Sequence, residues 1–186
     1  MALKLLRTIQ LDTSDRFVFE RAAEPGEWAV SGSFRFWDAD PGLLSGKPRV
    51  AFRSGFLGLG CFGWSTLAIV VNATEAERES AIAALAQFLQ AEHGAPSREA
   101  AVAAAREEIA FAASLCDHPE QTLIAVHRSV EDGAVRERFR TVKPGLRFTA
   151  KDAYHPLSFV ALADAEEDQP AERVDLVGIA AGQKQP

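Results

Sequence analysis

Residues 123–142 read LIAVHRSVEDGAVRERFRTV. Two runs of strand-forming side chains flank Asp132-Gly133, and Asp-Gly is the strongest short hairpin signal because both central turn positions need positive φ. A two-residue turn fixes the register: Val130 opposite Val135, Arg128 opposite Glu137, Val126 opposite Phe139 and Ile124 opposite Thr141. That face is apolar apart from the Arg128–Glu137 pair. The alternate face sets His127 opposite Arg138, with Arg136 and Arg140 on the diagonals.

Upstream of this hairpin the apolar period changes from two to that of a helix. Thr74 followed by Glu77 makes a capping box, in which each side chain bonds the other's free backbone N–H. Ile82, Leu85, Ala86 and Leu89 form the apolar stripe, and Gly94 and Pro96 stop the helix. Ser97 can cap a second helix with the stripe Val102, Ala105, Ile109, Ala112 and Cys116. Both are alanine-rich, so their axes can approach closely as an antiparallel pair. Arg106, Glu107 and Glu108 are expected on the solvated face.

Towards the N-terminus, residues 3–11 alternate weakly, as a first strand does. Asp12-Thr13-Ser14-Asp15 is turn chemistry, Phe17-Val18-Phe19 restarts an extended run, and Glu24-Pro25-Gly26-Glu27 turns it. A strand from Trp28 to Trp37 is expected, with Trp28, Val30, Gly32, Phe34 and Phe36 on one face. Arg49 to Asn72 reads as two buried strands around a glycine cluster. After the hairpin, Leu157–Ala163 and Arg173–Ile179 suggest two more strands. The order of strands, two helices and strands predicts an α+β fold, a mainly antiparallel sheet with a central αα-hairpin packed on one face. Residues 1–163 are read as a single domain, 164–172 as an acidic linker and 173–186 as a C-terminal strand and tail.

Composition narrows the function classes. The 186 residues are 47% hydrophobic and carry a net charge of −6, which suits one globular domain and disfavours disorder or general nucleic-acid binding. Residues 164–186 hold six acidic side chains against Arg173 and Lys184, so they carry −4 of that charge and the remainder only −2. Local clustering of arginine is therefore compatible with the acidic total. Two cysteines make no disulfide framework, and no uninterrupted apolar run follows Met1, so a cytoplasmic location is expected. The uncharged segment between Arg53 and Glu75 is diluted by glycine, serine and threonine, and reads as buried strands in place of a membrane span.

The arginine-rich hairpin face is the leading candidate site. His127, Arg136, Arg138 and Arg140 form a cationic stripe whose guanidinium forks suit carboxylate or phosphate oxygens. An anionic small molecule or an acidic protein is the expected partner; the alternative is a solvated outer face paired with the chain's own carboxylates. The acidic segment Asp164–Asp168 could fold over the stripe and compete with such a ligand.

Gly58-Leu59-Gly60-Cys61-Phe62-Gly63 matches the G-x-G-x-x-G pattern, but the residues after Gly63 read as a strand, whereas a dinucleotide site needs a helix there. The glycines read instead as a turn, a bulge or close backbone packing, and the remaining possibility is that Gly58, Gly60, Gly63 and Trp64 leave an open pocket floor for a flat ligand beside Phe62. Cys116-Asp117-His118 lies at a helix C-terminus, where the dipole disfavours a thiolate, and His118 is expected to serve the last carbonyls. Its spacing matches structural zinc sites poorly. Asp38 and Asp40 are explained by the turn at Pro41-Gly42. His93 and His155 look like helix-end or loop residues. No metal, cofactor or catalytic residue is assigned.

Three stretches together, FVFERAAEPGEWAVSGSFRFW, GFLGLGCFGWSTLAIVV and FAASLCDHPEQTLIAVHRSVEDGAVRERFR, resemble a family of small, functionally unassigned bacterial proteins, mainly alphaproteobacterial. The likeness covers most of residues 7–142. It implies a cytoplasmic accessory protein, auxiliary to a molybdenum or other redox enzyme system, and supplies no catalytic residue. Two rival readings are a small enzyme with a pocket near the glycine segment, using His118 or His127 as acid or base, and a structural subunit whose aromatic face forms a homodimer.

Overall fold

The computed structural model describes residues 2–11 and 13–142. Within them the chain forms β1 (Lys4–Ile9), a single turn α1 (Asp15–Val18), β2 (Trp28–Val30), a 3₁₀ turn at Ser33–Phe36 and α2 (Gly46–Ser54). Next come β3 (Phe56–Gly58), β4 (Trp64–Ser65), β5 (Leu67–Asn72), α3 (Glu75–Glu92), α4 (Arg98–Ser114), β6 (Leu123–Glu131) and β7 (Ala134–Val142). The seven strands form one sheet in the order β4-β3-β2-β1-β5-β6-β7, and every pairing is antiparallel. The fold is α+β. The strands expected at Leu157–Ala163 and Arg173–Ile179, the acidic segment and His155 lie outside the described residues.

The hairpin register is the expected one throughout, from Val130↔Val135 to Ile124↔Thr141. Asp132 and Gly133 both take positive φ, +53° and +76°, as the two-residue turn demands. The capping box of α3 is complete: Thr74 Oγ1 accepts from Glu77 N, and Glu77 Oε2 accepts from Thr74 N. Ser97 Oγ likewise accepts from Ala100 N at the start of α4. The α3 stripe Ile82, Leu85, Ala86 and Leu89 is buried, as are Ala105, Ile109 and Ala112 of α4 and Cys116 just beyond its end, while Val102 is half-buried. The two helices pack on each other, and α4 crosses β1 and β2.

Three N-terminal expectations are corrected. Phe17-Val18-Phe19 is not an extended run: a helical turn through Val18 leaves Phe17 74% exposed and buries Phe19. The strand beginning at Trp28 ends at Val30, because Gly32 adopts φ +74° and starts the 3₁₀ turn. A side chain could not sit there in any case, since a Cβ on Gly32 would lie 2.6 Å from Leu57 Cβ. The turn sends Phe34 into the core while Arg35 and Trp37 stay exposed. Finally, Arg49–Ser54 belongs to α2 and not to a strand. Pro48 lies in its first turn, where the missing N–H has no intrahelical partner to lose.

A buried ionic hub joins these pieces. Arg128 is 1% exposed, on the hairpin face that meets the helices through the edge-on Phe139–Phe111 contact. Its Nε donates to Glu137 Oε1 at 2.7 Å, and Nη1 donates to the carbonyls of Phe52 and Gly55, each at 2.9 Å. Nη2 donates to the Ser31 carbonyl and, at 3.1 Å, to Ser31 Oγ. The guanidinium thus sits at the negative end of α2 and satisfies carbonyls that the helix leaves open. Glu108 of α4 also faces this hub, contrary to the solvated position expected of it. Burial, reinforced by the charge of Glu137 and only partly offset by Arg128, pushes its carboxyl up to about 7. Its Oε2 is buried without a hydrogen-bond partner among the described residues.

Candidate functional site

The hairpin face that carries His127 is built by register alone. His127 stands opposite Arg138, Ala125 opposite Arg140 and Ser129 opposite Arg136. All of His127, Arg136, Arg138 and Arg140 are exposed, because alternate residues of β6 and β7 take up the contacts with the core. The structure adds Arg53, at the last turn of α2. Burial lowers the pKa of His127, and the charges of Arg53, Arg140 and Arg138 lower it further, so the ring is neutral at pH 7. Arg138 is partly neutralised: its Nη2 lies 2.7 Å from Glu131 Oε1, which also accepts from Ser129 Oγ. Arg53, Arg136 and Arg140 form no ion pair among the described residues. The surface can therefore offer two-pronged N–H donors to several oxygens at once, with a neutral imidazole between them. Arg53 escaped sequence reasoning because its segment read as a strand; Pro48 near a helix start was the available signal.

The glycine segment is a different kind of place. Glu27 Oε2 accepts the backbone N–H groups of Gly60 at 2.7 Å and Cys61 at 2.9 Å, while its Oε1 accepts from Glu24 N at 2.9 Å. Burial would raise the Glu27 carboxyl, but hydrogen bonds from Cys61, Glu24 and Gly60 outweigh it and hold the group below its ordinary value. The donors that a phosphate would need are thus occupied by the chain's own carboxylate. Gly58 and Gly60 are small for the same reason: a Cβ on either would meet Glu27 within 2.8 Å. Gly63 is pressed on the backbone of Ala22, and Phe62 takes φ +56° to turn the chain. Trp64 is half-buried and stacks on Phe36 with ring centroids 5.2 Å apart. Gly58 and Gly63 are packed on Glu27 and Ala22, whereas Gly60 and Trp64, with Cys61 and Phe62, line the cleft beside the turn.

The remaining candidates separate. Cys116 is buried, its Sγ donates to the Ala112 carbonyl at 3.3 Å, and burial raises its thiol to about 11. The last carbonyls of α4 accept from the backbone of Leu115 and Cys116, so His118 is not needed for them. The carbonyl of His118 instead accepts from Lys4 Nζ at 2.7 Å. Asp40 Oδ1 accepts from Gly42 N at 2.9 Å, the turn bond expected of it. His93 ends α3 and stands edge-on to Phe34. Among the described residues no three His, Cys, Asp or Glu side chains converge as a metal site. No helix there is long and apolar enough to cross a membrane.

These features define a small α+β protein with an arginine-rich hairpin face and a glycine turn closed by its own glutamate. The chain belongs to DUF6505, a family of unknown function, whose profile matches residues 1–156. No curated protein and no solved structure matches it.

Proposed function

We propose that the chain is a cytoplasmic, non-catalytic accessory protein that receives an acidic protein partner on the hairpin face formed by His127, Arg136, Arg138 and Arg140, with Arg53 at its edge. The observation that supports this most is the convergence of Arg53, from a separate element, on a histidine already flanked by two arginines. Gathering four cations on one side of a chain of net charge −6 costs self-repulsion, which an opposing anionic surface would offset. A protein surface fits better than a small molecule because the described residues form no recess around this face. Among the described residues, the clefts of about 670, 630 and 170 Å³ are lined by residues other than these. The auxiliary role implied by the resemblance would make a bacterial molybdenum or other redox enzyme the source of that surface.

Pull-down from the native cell with wild-type protein and with Arg138→Glu tests the proposal. Loss of one acidic partner with the variant, and weakening of the wild-type complex as salt rises from 50 to about 300 mM, supports it. Equal recovery of the same partners by both proteins overturns it. A second reading, a homodimer through an aromatic face, draws on the exposure of Phe17, Trp37 and Leu43, at 74%, 81% and 82%. Light scattering of Trp37→Ser against wild type separates the two.

A further inference from the structure

We infer that the cleft between the glycine turn and the C-terminal half of α3 is a second, small-molecule site, one that takes a planar nitrogen heterocycle carrying a phosphate or carboxylate. The cleft encloses about 670 Å³, within the range of about 300–1,000 Å³ typical of ligand pockets. A recess of about 170 Å³ adjoins it and shares Glu20, Arg35 and Trp64.

Its aromatic walls are held rigidly. Phe62 of the turn and Phe88 of α3 stack with centroids 3.9 Å apart and ring planes within 9°, which ties the two walls together. Trp64 is held tightly: Phe36 stacks on it, and Gly32 and Gly55 leave it room where a Cβ would come within 3.1 and 2.7 Å of the indole. Its remaining exposed part borders both cavities. A fixed ring of this kind binds a flat ligand with little entropy lost on its own side.

Two arginines, Arg21 and Arg35, share the lining of the cleft. Arg35 lies over the Phe88 ring at 5.1 Å and its Nη1 is 3.3 Å from His93 Nε2. Burial and the Arg35 charge lower the pKa of His93, against the opposing charges of Asp38 and Glu92, so the imidazole is a neutral acceptor beside Arg35, which has no ion pair among the described residues. Arg21 is held at the rim by its carbonyl, which accepts from Trp64 N at 2.9 Å, and its side chain has no ion pair among the described residues. Because Glu27 occupies the turn's N–H groups, an incoming acid has Arg35 and Arg21 as its partners. Glu20, Glu92 and Gln87 on the same lining favour a ring that also presents N–H donors, which a nitrogen heterocycle does and a plain aromatic acid does not.

The test is titration of ¹⁵N-labelled full-length protein with AMP, GMP and flavin mononucleotide, following the indole N–H peaks in two-dimensional NMR. The Trp37→Phe variant removes the signal of the most exposed indole, and adenosine, riboflavin and inorganic phosphate serve as half-ligands. The expected result is that at least one ring phosphate moves the Trp64 peak, binding at least tenfold tighter than its uncharged ring and than phosphate alone. Arg35→Gln and Arg21→Gln, both on exposed side chains, should each weaken that binding about fivefold or more. No movement of the Trp64 peak by any of the three at 2 mM, on the order of the weakest specific affinities, overturns the inference. So does equal binding of the half-ligands, or binding unchanged in both arginine variants.

Discussion

Arg128 and Glu137 face each other across the β6–β7 ladder and join Nε to Oε1 at 2.7 Å, with the guanidinium fully buried. The same guanidinium holds the end of α2 and the backbone at Ser31, so one side chain fastens three segments. Two charges taken from water gain little as a pair, but removing one leaves the other, and every group it was itself bound to, without a partner.

Arg128→Met is therefore expected to destabilise the fold by about 3–5 kcal/mol, while Arg128→Met combined with Glu137→Leu loses less than the sum of the single changes. Urea unfolding of the four proteins gives the coupling directly. Additive losses would show that the pair is not a unit.

Glu108 gives the stability a distinctive pH dependence. Its folded pKa is raised from the ordinary 4.5 to about 7, so the folded state holds the proton more tightly. Its contribution is fully present below the unfolded value and is lost as pH rises through the folded one, about 3 kcal/mol in all. Glu108→Gln should remove this slope and make the variant more stable than wild type at pH 8. Parallel unfolding curves at pH 5, 6.5 and 8 check it.

Glu27 predicts a change in chemistry as well as in stability. Glu27→Ala leaves the N–H groups of Glu24, Gly60 and Cys61 without their acceptor, a cost of about 2 kcal/mol. Burial and the neighbouring Glu27 both raise the Cys61 thiol, so the variant should shift its alkylation-rate profile to lower pH. Cys116, buried and raised to about 11, should stay slow in both proteins. Mass spectrometry of each cysteine after timed alkylation measures this. For Glu27 itself the sign is reversed: its depressed pKa stabilises above the ordinary carboxylate range and is lost as pH falls.

Two glycines distinguish crowding from backbone strain. A Cβ on Gly63 would stand 2.5 Å from the Ala22 backbone, which has no flexible end to move aside. Gly94 has nothing within 4 Å but takes φ +63°. Gly94→Ala should cost about 1–2 kcal/mol, and Gly63→Ala clearly more, about 3 kcal/mol or loss of the fold. Thermal melts rank the two.

What the sequence made legible was local. The Asp132-Gly133 turn, the Thr74–Glu77 box and the α3 and α4 stripes each rest on residues within a few positions of one another. The register derived from the turn even located the Arg128–Glu137 pair and the face of His127. Its other partners were out of reach, because Arg128 meets the carbonyls of Ser31, Phe52 and Gly55, and a carbonyl has no residue signature. The acidic turn around Glu27 read only as a turn, since nothing nearby indicates that its carboxylate enters a loop 33 residues away. The glycine pattern was legible as close backbone packing but not as to its partner: it reports that a backbone comes close to something, and here that something is Glu27 and Ala22 of the chain itself.

The reach of Arg128 also sets an order of assembly. Its contacts to Ser31 span 97 residues, and those to Phe52 and Gly55 span 76 and 73. During synthesis the 3₁₀ turn and α2 emerge long before the arginine that closes them, so they stay unlatched until the late hairpin arrives. Interruption of translation before β6 would leave a nascent chain whose carbonyls at Ser31, Phe52 and Gly55 lack this donor.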